Sequence, residues 1–156
     1  MTWYGLRRTV LGTVFLVGCA SGAPETTPVP DGAPAAATAG SAELTGTRWL
    51  LTRLGTRTMV TVPGDRAPHL LFNGSDRRVA GSGGCNRIMG PYMVDGTMMR
   101  LGPIAGTMMA CQQPIMEQEQ AFLKALEATE SHRIVNGQLE LRGTDRQLLA
   151  RFVKGE

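Results

Sequence analysis

Gly90-Pro91-Tyr92-Met93-Val94-Asp95-Gly96-Thr97-Met98-Met99-Arg100-Leu101 is a pair of short, apolar-rich runs joined by a dipeptide that turns a chain back on itself. A two-residue hairpin of type I′ needs positive φ at both central positions, and Asp-Gly and Asn-Gly supply it at least cost. Asn136-Gly137 repeats the signal between residues 133–135 and 138–142. Asn73-Gly74-Ser75-Asp76 reads as a longer hairpin loop between 70–72 and 77–80, since these residues favour tight turns. A first strand at 48–54 and a last at 147–153, the latter led in by Gly143-Thr144-Asp145, complete the series. Seven or eight short antiparallel strands are predicted.

One segment departs from this rhythm. Pro114 suits the first turn of a helix, with Glu117 and Glu119 near its positive end. Ile115, Gln118, Phe122, Ala125 and Thr129 follow helical spacing, and Met116, Leu123 and Leu126 widen the apolar side. The spacing predicts a helix over 114–128 that packs its Phe122 and Leu126 side on the sheet. The expected fold is mainly β, a small, curved antiparallel barrel with this helix covering an opening.

The amino-terminal third has a different character. Arg7 and Arg8 precede ten uncharged residues, 9–18, whose last three lead into Cys19 as Leu16-Val17-Gly18-Cys19. A basic start, a short apolar core and small residues before the cut mark a secretory signal, and the run is too short for a bilayer span of ~20 residues. Ending on cysteine, it matches a bacterial lipobox, so residues 1–18 are expected to be removed and Cys19 to carry lipid. General secretion is the expected route, because beyond Arg7-Arg8 the twin-arginine consensus is missing. Residues 19–43 hold Pro24, Pro28, Pro30 and Pro34 among Ala, Gly, Ser and Thr, a composition that cannot bury enough surface to offset its ordering entropy. They read as a tether, with the folded domain at 44–156. Ala20-Ser21 after the lipidated cysteine, without an acidic residue, resembles the sorting signal for the outer membrane, and the expected placement is the periplasmic side of that membrane.

The whole chain carries 16 basic and 13 acidic residues, and loss of Arg7 and Arg8 with the signal leaves 14 against 13. A nearly neutral mature protein without a basic stripe interleaved with aromatics points away from nucleic acid.

Three blocks in the domain carry a resemblance. Gly81-Ser82-Gly83-Gly84-Cys85-Asn86-Arg87-Ile88-Met89-Gly90-Pro91-Tyr92, then Thr107-Met108-Met109-Ala110-Cys111, then Glu119-Gln120-Ala121-Phe122-Leu123 with Leu126, resemble the META domain, and most of all the HslJ-like bacterial envelope lipoproteins associated with heat shock and novobiocin resistance. The likeness spans residues 43–153. It implies a small β-barrel with one helix, with no known enzymatic activity. The positions matching the pattern are Gly84, Cys85, Asn86, Gly90, Tyr92, Thr107, Met109, Cys111, Glu119, Phe122 and Leu126.

Chemistry is harder to find. His69 and His132 stand in separate strand-like stretches, each read as a partly exposed sheet residue, and neither has a nucleophile or carboxylate at a motif spacing. Gly81-Ser82-Gly83-Gly84 leads towards a strand, which favours a bend or bulge over an anion nest. Cys85 and Cys111 are the thiols left after lipidation, and export favours a disulfide. Two buried free thiols or a redox pair remain the alternatives, the latter without the C-x-x-C spacing that lowers a thiol pKa. Seven of the nine methionines lie between Met89 and Met116. Thioethers suit Cu(I), but Met98 and Met99, adjacent in a strand, face opposite ways, which favours packing or a soft apolar surface. The expectation is a non-enzymatic, lipid-anchored envelope protein with no cofactor or metal, in stress or drug tolerance or surface interaction, its partner an envelope protein or small ligand. The alternative is a periplasmic barrel binding a small molecule or Cu(I).

Overall fold

Residues 43–155 are described by the computed structural model; Cys19, the signal segment and the tether up to residue 42 lie outside them. In chain order the elements are β1 (Arg48–Leu54), β2 (His69–Asn73), β3 (Arg78–Ser82), β4 (Arg87–Asp95), β5 (Met98–Leu101), β6 (Ala105–Gly106), α1 (Gln113–Glu127), β7 (Ser131–Val135), β8 (Gln138–Arg142) and β9 (Leu148–Lys154). Eight strands stand where the turn chemistry places them. The ninth, β6, is two residues long and too short to leave a period in the sequence.

Every pairing between these strands is antiparallel, and the ladder runs β1-β2-β3-β4-β5-β7-β8-β9 and back to β1. The ring is not a regular barrel. β5 and β7 share the single register pair Met98↔Ser131, supplemented by Met99 N–H to the Glu130 carbonyl and His132 N–H to the Thr97 carbonyl. β4 gives one edge to β3 and the other first to β6 and then to β5. Tyr92↔Leu101 and Met89↔Ala105 differ in register by one residue, so β5 and β6 are one strand path interrupted by a bulge at 102–104. Gly90 faces that bulge; a Cβ there would lie 2.7 Å from the Pro103 carbonyl oxygen.

The turns obey their residues with one exception. Asn136 and Gly137 have φ of 52° and 72°, as a type I′ turn requires. At the other dipeptide the pair closing the turn is Asp95↔Met98, so the central residues are Gly96 and Thr97, not Asp95 and Gly96. Only Gly96 has positive φ, 57°, the φ pattern of type II′. Glycine at the first central position satisfies that turn alone, which moves the hairpin one residue along from its expected place.

Alternation along the strands fills the ring. Trp49, Leu70, Phe72, Leu139, Leu141, Ala150 and Phe152 are fully buried, and Phe72 meets Tyr92 edge-on at 5.1 Å between ring centres. α1 begins one residue ahead of Pro114 and packs on β1, β5 and β9, burying Phe122 and Leu126 completely, with Phe122 6.0 Å from the Phe152 ring. Gln118, on the same face, is satisfied as a strand would satisfy it. Its Oε1 accepts from Val60 N–H at 2.6 Å and its Nε2 donates to the Val60 carbonyl at 3.1 Å, which pins the β1–β2 connection to the helix.

On the outer surface of β7, β8 and β9, Arg133, Glu140 and Arg151 are opposed in register. Glu140 is only 4% exposed, and its oxygens accept five hydrogen bonds from Arg133, Arg142 and Arg151. Burial alone pushes this carboxyl up, but the three guanidinium groups outweigh it and hold it down at about 2. His132 corrects an expectation. It faces inward, 5% exposed, and burial lowers its pKa against an opposing contact from the Thr97 backbone.

Two outcomes are expected. Phe122→Ala costs roughly 3 to 5 kcal/mol in chemical denaturation, whereas an exposed neighbour, Lys124→Ala, changes stability by less than ~0.5 kcal/mol; equal midpoints for wild type and Phe122→Ala would show α1 undocked. Both lowered pKa values also act in one direction. Above the unfolded pKa each contributes stability, and that contribution is lost as pH falls, below the ordinary 6.5 for His132 and between 4.5 and about 2 for Glu140. Glu140→Gln flattens the lower part of a stability–pH profile and costs on the order of 2 to 3 kcal/mol at neutral pH.

Candidate functional site

The three sequence blocks converge on one carboxylate. Between β3 and β4 the chain turns through Gly83-Gly84-Cys85-Asn86, where Gly84 has φ of 114° and Gly83 leaves room for a neighbour: a Cβ on it would lie 2.6 Å from Glu119 Cγ. Glu119 reaches this bend from the second turn of α1. Its Oε2 accepts from Cys85 N–H at 3.0 Å and Asn86 N–H at 2.6 Å, and its Oε1 accepts from Asn86 Nδ2 at 2.6 Å. Only 6% of Glu119 is exposed, so these donors stand in for water around the charge. Charge-assisted bonds of this kind are about twice as strong as neutral ones.

Asn86 passes the connection on. Its Oδ1 accepts from Met109 N–H at 2.7 Å and from Thr107 Oγ1 at 2.9 Å, and Thr107 Oγ1 in turn accepts from Arg87 N–H at 3.2 Å. Cys85 and Cys111 are joined as a disulfide across 26 positions. The segment after β6 is thus strapped to the bend by polar bonds and one covalent bond, and the bend is bonded in turn to Glu119 of α1. Gly84, Cys85, Asn86, Thr107, Met109, Cys111 and Glu119 form this latch. Gly90 lies at the β5–β6 bulge, and Phe122 and Leu126 belong to the core.

Tyr92 stands at the other end of the β3–β4 pairing from the latch. Its hydroxyl donates to the Asn73 carbonyl at 3.2 Å, and burial raises its pKa, against the lowering charge of Arg77. In the sequence Glu119 stands as a helix-end charge; its spacing on the face of Phe122 and Leu126 is the signal that it is buried. The methionines divide as the adjacent pair foretold, Met99 buried at 1% and Met98 exposed at 58%, while Met89, Met93, Met108, Met109 and Met116 are also exposed. They form a soft surface more than a core. Among the described residues no group of three or more His, Cys, Asp or Glu gathers as a metal site, and no helix there is long and apolar enough to cross a membrane.

Glu119→Gln keeps the shape of the hub but removes its charge, and a loss of about 1 to 3 kcal/mol is expected. Gly83→Ala displaces the same carboxylate, so the double variant loses little more than either single one, a non-additivity that thermal unfolding can measure. Additive losses would mean that the two residues act separately. Cys111→Ala, by opening a loop of 26 positions, lowers stability by roughly 3 kcal/mol on the chain-entropy account.

The arrangement agrees with comparison to other proteins. The family model described as META domain matches residues 42–156. A protein from Burkholderia xenovorans, solved by NMR, is 26% identical with a TM-score of 0.60, covering 89% of this chain and 99% of its own. A DUF4847 family protein from Bacteroides vulgatus, solved by crystallography, shares the fold at 14% identity and a TM-score of 0.54, over 70% of this chain and 93% of its own. Among curated proteins none matches. With its latch built from the three blocks and the family model covering the whole described domain, the chain belongs to the META domain family.

Proposed function

We propose that the chain is a non-enzymatic, lipid-anchored protein of the bacterial cell envelope, held at the periplasmic side of the outer membrane through Cys19, whose domain acts through its surface in stress or drug tolerance. The observation that carries the non-enzymatic part is the state of its buried ionisable groups. Glu119 and Glu140 have their oxygens taken by structural donors, and His132 faces the core, its Nδ1 without a partner among the described residues. A general acid or base needs a face turned towards substrate, and these groups have theirs covered, Glu119 and His132 in the interior and Glu140 beneath three arginines. The bonded Cys85–Cys111 pair supports an oxidising compartment. Arg7-Arg8 and the Leu16-Val17-Gly18-Cys19 ending support the anchor.

The test is made in the native host. Mass spectrometry of the mature protein is expected to find a diacylglyceryl group on an amino-terminal Cys19, and Cys19→Ser to move the protein from the membrane to the soluble fraction. An unmodified amino terminus beyond Cys19 rejects the anchor. A host lacking the protein is expected to lose tolerance to envelope stress and to regain it from wild type but not from Cys19→Ser.

A further inference from the structure

On the outer wall of β1, β2, β3 and β4, away from the filled interior, Arg48, Leu71, Ala80 and Met89 are successive register partners and so form one row across four strands. An open groove of about 850 Å3 runs over this row. Its depth comes from sequence. Ala80 and Ser82 put little bulk on the floor, and Gly81 between them, in register with the core residues Leu70 and Ile88, adds only backbone to it. The turn Gly64–Arg66 bounds one side, fastened by the Ser82 hydroxyl donating to the Arg66 carbonyl at 2.9 Å. The strap bearing Thr107 and Met109 bounds the other, and the latch holds it in place. Nothing in the latch or the core requires this hollow.

The lining has two parts. Leu71, Met89 and Met109 are apolar side chains left 43%, 49% and 54% exposed. Around them stand Arg48, Arg66 and Arg87, with Asp65 the one acidic residue of the groove. Arg48 meets Asp65 at 3.9 Å only, and Asp65 is fully exposed, so that pair neutralises little. Arg48 Nε is buried with no acceptor among the described residues, an uncommon state for a buried donor. Volume, apolar floor and a few converging polar groups match the anatomy of a ligand site. An extended peptide cannot add to this sheet as a strand, since β1, β2, β3 and β4 each have partners on both edges and strand addition needs an open one.

We propose that this groove binds a small amphiphile, its aliphatic chain lying over Leu71, Ala80 and Met89 and its anionic head, carboxylate or phosphate, held by Arg48, Arg66 and Arg87. The proposal is independent of the lipid anchor. Methionine suits the apolar part, as its flexible thioether adapts to varied chains, and the guanidinium fork binds either head group.

The test uses the full chain carrying Cys19→Ser, so that no attached lipid competes, with methionine methyl resonances as the readout. Decanoate and decyl phosphate are titrated in parallel with decyltrimethylammonium and butyrate. Saturable shifts at Met89 and Met109, with Met93 and Met98 unmoved, are expected for one or both anionic probes, and the tighter of the two identifies the head group. Butyrate and the cationic probe are expected to leave all four unmoved. Arg87→Gln weakens binding about tenfold, and Ala80→Trp, filling an exposed floor position, abolishes it. Binding by neither anionic probe overturns the proposal, as do an equal response to the cation or affinity unchanged in both variants.

Discussion

A buried carboxylate with no water around it must be solvated by something, and in this domain the Glu119 side chain dictates what surrounds it. Its three donors come from a glycine-rich bend, because only a chain without side chains at Gly83 can bring two successive N–H groups so near. From that constraint follow the position of Asn86, the strap that Asn86 holds, and the disulfide that closes beside it. The helix that delivers Glu119 also delivers Phe122 to the interior of the ring. Polar and apolar anchoring of α1 are therefore one event, and neither face of the helix can shift without disturbing the other.

A second cluster solves the same problem differently. Glu140 sits on the outer surface of its strand yet is buried, roofed by Arg133, Arg142 and Arg151 from its own and neighbouring strands. Backbone N–H groups serve Glu119; guanidinium groups serve Glu140. The first arrangement fixes loop geometry, and the second ties β7, β8 and β9 edge to edge in the half of the ring away from the latch.

Much of this was legible in the sequence because the informative residues act locally. Asn136-Gly137 needs only its own φ angles to form a turn, and Pro114, with the spacing of Ile115, Phe122 and Leu126, needs only helical geometry to declare α1. What was not legible depends on partners far along the chain. The burial of Glu119 follows from donors 33 and 34 positions earlier, that of Glu140 from arginines on three strands, and β6 exists only because β4 has an edge to spare. His132 reads like any strand histidine until the ring closes over it. The outer groove left no motif at all, since its row of side chains comes from four separate strands.

Ring closure also bears on when the domain can form. The first strand, β1, is hydrogen-bonded to the last, β9, through pairs such as Trp49↔Lys154, and β9 alone joins β1 to β8. A chain emerging from its amino terminus can assemble the β2–β3–β4 meander early, but the seam stays open until residue 154 is free. Contacts this distant in sequence make folding slow compared with helical bundles. For most of its biogenesis the protein therefore presents an unzipped β1 edge, and its exposure to chaperones and proteases is timed by the arrival of its final seven-residue strand.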